Sequence, residues 1–297
     1  MLRWLPSPFK GVLSFLLYIL NTLFWFIPLM ALAVLKLLPI KRWQAWMSYL
    51  VDAIAVAWIS VNNLTTRIFT SIKWRVSGLE SLSRKDWYLI VANHQSWADI
   101  LILQNIFNRK IPFIKFFLKK ELLYVPFMGL AWWALDFPFM KRYSKQLLKK
   151  RPELQGKDIE TTRKACEKFR FKPVSIMNFV EGTRFTQAKH DKQQAPFSHL
   201  LKPKAGGTAF VLGTMGEQLH KLLDVTIHYP QGIPSFWDYI SGKVHAITVN
   251  IKVLPISKDL IGDYNDQAYR ERFQQWLNQL WVEKDQQLAL LEKTTTK

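Results

Sequence analysis

Residues 87–100 read WYLIVANHQSWADI, and the change of character inside this stretch decides the fold. Trp87–Ala92 is an unbroken apolar run of strand length that stops at Asn93-His94. Asp99 follows the histidine by five positions. On one continuous helix a spacing of five sets two side chains about 140° apart, so they would not meet. They meet if His94 lies on the loop leaving the strand and Asp99 lies in the first turn of the helix that follows. An acidic residue there is favoured by the helix dipole. A carboxylate so placed holds the imidazole tautomer that leaves the other ring nitrogen free as a base. The bare spacing is weak evidence, because a strand-end histidine with ordinary hydrogen-bond partners is the commoner case. Its company decides.

That company is a second apolar run, VSIMNFV, which ends at Glu181-Gly182-Thr183-Arg184. Gly182 lets backbone amides approach a ligand. Thr183 and Arg184 can hydrogen-bond phosphate oxygens, the arginine through its planar fork. Read alone, the same residues are a surface turn. Two polar clusters at the ends of two apolar strands favour one shared site, since ligands of open α/β sheets bind beyond the strand C-termini.

Outward from these motifs, short apolar runs alternate with helical segments from about Lys73 onward. Strands are predicted at Trp87–Ala92, Val174–Val180, Leu223–Tyr229 and Ala246–Val253. Helices are predicted at Trp97–Phe107, Lys119–Ala134, Asp158–Phe169, Gly206–Met215 and Gln267–Leu291. The alternation gives an α/β domain, a mixed sheet flanked by helices. Before it, Gly11–Leu35 carries no charged residue and exceeds the roughly 20 residues that cross a bilayer. Basic residues flank it on both sides (Arg3 and Lys10, then Lys36, Lys41 and Arg42), so flanking charge sets no orientation. Pro28 near its middle is a place for a kink that turns a span into a shallow hairpin. Trp46, Tyr49, Leu50, Ala53, Ile54, Ala57, Trp58 and Val61 then recur at helical spacing, with Ser48, Asp52 and Ser60 opposite. This pattern suits a helix lying in the membrane interface, and a core helix is the plainer alternative. The predicted division is residues 1–66 as a membrane-anchoring helical segment and 67–297 as the enzyme domain.

The 297 residues carry 41 Lys+Arg against 22 Asp+Glu, a formal net charge of +19. Such an excess calls for a polyanionic partner, and membrane, phosphorylated substrate and nucleic acid all qualify. No nucleic-acid motif occurs, and the basic residues lie among membrane-like apolar segments. Cys166 is the single cysteine, so no intramolecular disulfide forms; set in a charged helical run, it reads as structural. Neither CxxC nor HExxH occurs, and no metal is expected.

With both motifs in view, the sequence resembles the lysophospholipid acyltransferase family, typified by 1-acyl-glycerol-3-phosphate acyltransferases, and is similar to its bacterial inner-membrane members. Asn93, His94 and Asp99 match the NHxxxxD motif, and Glu181, Gly182, Thr183 and Arg184 match EGTR. Phe137–Arg142 resembles the apolar run ending in arginine, and Lys204 and Gly206 resemble a Lys and Gly before a helix. The fourth motif, usually a Val/Ile-Pro run, departs here to Asp224–Pro230, DVTIHYP. That form resembles a branch acylating several lysophospholipids. The likeness covers about Trp74 to Pro255. It implies His94 as general base, Asp99 as its orienting group, and Arg142, Glu181, Gly182, Thr183, Arg184 and Lys204 around the acceptor phosphate. It implies an acyl-CoA or acyl-acyl carrier protein donor, no cofactor, and a cytoplasm-facing site on the inner membrane. A non-catalytic, membrane-associated lipid-binding protein of the same fold is the alternative.

Overall fold

The structure, a computed structural model, describes residues 2, 4–140, 166, 169, 172–264 and 266–295. It opens on two antiparallel helices, α1 (Ser7–Leu35) and α2 (Lys41–Phe69), both long and apolar enough to cross a membrane. Pro28 lies inside α1, which runs through it without a break, so the expected hairpin at Pro28 does not form. The reversal falls instead at residues 36–40. There Trp43 Nε1 donates to the Leu35 carbonyl and Gln44 Nε2 to the Lys36 carbonyl, two carbonyls at the end of α1.

The expected interfacial helix is longer than its apolar stripe, and its polar side is turned inward. Met47, Val51, Ala55 and Ile59 are buried, four residues apart, while Trp46 and Tyr49 face outward. Asp52 bonds Lys115 at 3.2 Å and Lys172 at 2.6 Å, and Ser60 accepts from Asn108. Lys115 is almost fully buried; burial pulls the Lys172 ammonium down to about 8, partly offset by Asp52. The stripe of Ser48, Asp52 and Ser60 therefore meets the domain rather than water.

The domain then runs β1 (Lys73–Ser77), β2 (Tyr88–Ala92), α3 (Ala98–Phe107), β3 (Ile114–Phe116), α4 (Met128–Ala134), β4 (Ser175–Phe179), α5 (Gln187–Gln193), α6 (Ala205–Met215), β5 (Lys221–His228), α7 (Phe236–Ile240), β6 (Ala246–Pro255) and α8 (Gln267–Thr295). The helix expected over Lys119–Ala134 divides into a 3-10 turn, Lys120–Tyr124, and α4. Pro126 cannot donate to a helix ladder, and Phe127 turns to φ 59°. Most of the helix expected over Asp158–Phe169 lies outside the described residues.

Six strands form one sheet in the order β1-β6-β5-β2-β4-β3, parallel except for the β5–β6 pair. The central strand β2 is buried at every position, as a parallel strand covered on both faces must be. Leu89 and Val91 face the cluster beneath α6 and α8; Tyr88, Ile90 and Ala92 face α3. Ala92 pairs with Phe179 on one side and Val225 on the other, so the loops after β2 and β4 leave the sheet side by side. A buried ion pair, Lys284 Nζ to Asp224 Oδ1 at 2.6 Å, ties α8 to β5. Burial pushes the Cys166 thiol up to about 12, in keeping with a structural cysteine.

Candidate active site

The site starts at the last peptide of β2. The Asn93 amide donates to the Ile227 carbonyl at 2.9 Å and accepts the Ile227 N–H at 2.8 Å. It extends the β2–β5 pairing by one side chain and turns the backbone so that His94 stands at the sheet edge. Asp99 lies in the first turn of α3 and is fully buried. Its Oδ2 accepts the N–H groups of Gln95 at 2.7 Å and Ser96 at 2.9 Å, and lies 2.8 Å from His94 Nδ1. Its Oδ1 accepts the Tyr229 hydroxyl. An oxygen already facing two amides acts as an acceptor, so Nδ1 carries the imidazole proton and Nε2 is left as the basic nitrogen. The His94 ring lies on Phe179, centroids 3.9 Å apart and planes 13° from parallel, which fixes its rotation.

The second loop is bound to the first. Phe185 N donates to the His94 carbonyl at 2.7 Å, and His94 N donates to Glu181 Oε1 at 3.1 Å. Glu181 Oε2 accepts from Leu201 N at 3.0 Å. Glu181 is fully buried with both oxygens engaged by backbone, so it braces the His94 loop and is not open to a ligand as the sequence reading expected. Burial raises its carboxyl to about 8, with the two amide bonds working in the opposite direction.

Gly182 adopts φ +69°, and a side chain there would meet Lys204 Nζ at 3.4 Å. The Lys204 ammonium thus stands over the turn, while its backbone N–H donates to Val180. The Arg184 guanidinium lies 4.5 Å from the centre of the exposed Trp97 ring. Lys189 Nζ donates to Thr183 Oγ1 at 2.8 Å and to the Arg184 carbonyl at 2.9 Å. Arg184, Lys189 and Lys204 bracket one partly exposed turn beside an imidazole. That arrangement can hold a phosphate monoester or diester with a hydroxyl near Nε2.

The structure brings together every expected site residue except Arg142, which lies outside the described residues. Tyr229, Lys189, Trp97 and Phe179 are additions. Tyr229 stood in view within DVTIHYP, but only the pairing of β2 with β5 carries it to Asp99. Among the described residues, no three His, Cys, Asp or Glu side chains cluster as metal ligands would.

A His–carboxylate pair thus stands at the carboxyl edge of a largely parallel sheet, beside a cationic turn, an arrangement able to activate a hydroxyl or water. The family model described as Acyltransferase matches residues 73–228, more than half of the chain, and the chain belongs to that family. It is 26% identical over 212 residues to 1-acyl-sn-glycerol-3-phosphate acyltransferase gamma of Mus musculus, covering 68% of this chain and 52% of that protein. With the delta form of Rattus norvegicus it shares 25% over 214 residues, at the same coverage. The chain spans about half the length of these curated relatives. The crystal structure of the 1-acyl-sn-glycerophosphate (LPA) acyltransferase PlsC from Thermotoga maritima aligns with a TM-score of 0.47 at 16% identity, covering 92% of this chain and 97% of that one.

Proposed function

We propose that the protein transfers a fatty acyl group from acyl-CoA or acyl-acyl carrier protein to the free hydroxyl of a lysophospholipid, most simply 1-acyl-glycerol-3-phosphate. The observation that carries this reading is the set of donors on Asp99, which leaves His94 Nε2 as the basic nitrogen. His94 removes the proton from the acceptor hydroxyl, and the oxygen attacks the thioester carbonyl. The C–S bond then breaks, and the departing thiolate takes the proton from the imidazolium. Arg184, Thr183, Gly182 and Lys204 hold the acceptor phosphate, with Arg142 as a further proposed contact. Glu181 acts through the His94 loop. The names of the curated relatives support the acceptor class.

In this reading residues 1–66 attach the protein to the inner membrane, and 67–297 carry out the transfer on the cytoplasmic side, where donor thioesters are made. The hairpin's contacts support attachment within one leaflet. Near its start, α1 sets Gly11 against Trp237, and at its end Lys36 pairs with Asp136. Both ends of α1 thus meet one and the same domain, while Phe15, Leu16, Leu20, Phe24 and Ile27 face outward.

The test is release of free thiol when purified protein is given acyl-CoA and a panel of lysophospholipids. Turnover that vanishes in folded His94→Ala protein supports the proposal; turnover near the wild-type rate overturns it.

A further inference from the structure

A second basic site lies at the turn of the hairpin. A cavity of about 790 Å³ opens between the α1–α2 turn and the Trp133–Asp136 segment. Among the described residues, Lys36, Lys41, Arg42 and Lys172 line it, against one carboxylate, Asp136. Lys36 is paired with Asp136, and Lys172 with Asp52 and the Ser48 carbonyl. Among the described residues, Lys41 and Arg42 have no acidic partner. They also occupy the first turn of α2, a 29-residue helix with no capping side chain and no acidic residue at its start. Helix N-termini favour anions, and two cations there are unfavourable unless an anion joins them. The rim has another character, with Leu37, Tyr49 and Trp133 exposed at the opening and Trp43 and Trp46 beside it. Aromatic residues of this kind settle at the level of lipid headgroups.

We infer that this cavity binds the phosphate of an anionic membrane phospholipid, a lipid that is not the acyl acceptor. Among the described residues, the lining shares none with the groups bonded to His94. Its volume is in the range of sites that enclose small molecules, far more than a bare phosphate needs. The basic lining suits a headgroup, and the apolar rim suits the first part of its acyl chains, which continue into the bilayer beside α1. The inference rests on the reading that the hairpin lies in one leaflet, and it adds a specific lipid to that attachment.

The experiment uses full-length protein in mild detergent, with native mass spectrometry counting retained phosphatidylglycerol against phosphatidylcholine. Wild type should retain one phosphatidylglycerol in preference to phosphatidylcholine. Lys41→Ala/Arg42→Ala should weaken retention about 30-fold, roughly fivefold for each cation at an anionic surface. Ala45→Trp fills the cavity and leaves every charge in place, and should weaken retention comparably. Loss in the charge variant with full retention in Ala45→Trp would mean diffuse surface attraction and overturn the cavity. Displacement of the lipid by inorganic phosphate or free CoA at low millimolar concentration would assign the site to a soluble phosphate compound and overturn the lipid. Acyl transfer to a short-chain soluble acceptor, measured in parallel, should be unchanged in these variants. If wild type lacks that activity while the lipid is retained, the acyltransferase reading fails and the lipid site stands.

Discussion

Asp99→Asn tests the site most sharply, because the surrounding donors dictate which way the new amide must face. Oδ2 receives two backbone N–H groups, which cannot become acceptors. Oδ1 receives the Tyr229 hydroxyl, which can reverse and accept. The carbonyl of the new amide must therefore take the Oδ2 place, with its NH2 donating to Tyr229. His94 then still donates from Nδ1, and Nε2 stays the basic nitrogen. What is lost is the negative charge that stabilises the imidazolium as it forms. Hydrogen bonds to charged groups contribute about 1.5–3 kcal/mol, so kcat should fall roughly 10- to 150-fold. Asp99→Ala also removes the orientation and should fall further, toward the 10²–10⁴-fold loss of a missing base. Thiol release at saturating donor and acceptor gives kcat, and ¹⁵N shifts of the His94 ring report the tautomer. An Asp99→Asn enzyme as inactive as His94→Ala, or one with the proton moved to Nε2, would refute the forced orientation.

Arg184→Ala should raise the acceptor KM about 10- to 150-fold with little change in donor KM, and Arg184→Lys should restore only part of it; full saturation curves for both substrates decide. Asp52→Ala should destabilise the fold by about 3–5 kcal/mol by stranding Lys115 and Lys172, seen as a lower denaturation midpoint; an unchanged midpoint would show that the pair is dispensable. Glu181 is protonated more readily in the fold than unfolded, so its contribution is complete at acid pH and is lost as pH rises from its ordinary value of 4.5 through about 8. Glu181→Gln should remove that slope from the stability–pH profile, and parallel profiles for the two proteins would count against it.

The contact between His94 and Asp99 was legible because its geometry is local. A strand end, a loop and the first turn of a helix fix His94 against Asp99 with no help from elsewhere in the chain. Arg184 and Lys204 were legible as residue types in a recognisable pattern. Glu181 was misjudged because nothing in the sequence says that its carboxylate turns back to brace the His94 loop rather than outward to ligand. Tyr229 depends on the register between β2 and β5, and register is a non-local property. The inward turn of Asp52 was hidden for a similar reason. A polar stripe on an apolar helix reads as solvent-facing until its partners, Lys115 and Lys172, are placed. β3 escaped because three residues are too few for a period to show, and β1, as long as β2, escaped because its run KWRVS mixes charged and polar residues with apolar ones.

The packing of the hairpin against the domain has a consequence for how the chain is made. Asp52 leaves the ribosome 63 residues ahead of Lys115 and 120 residues ahead of Lys172, its two partners. At about 5–20 residues per second, the second partner follows only after roughly 6–24 s, and until then the pairing is incomplete and a long apolar helix face is uncovered. In water such a nascent segment is a site for aggregation; inserted early at a bilayer surface it is sheltered. The order of synthesis therefore favours a protein that completes its domain against a hairpin already delivered to lipid.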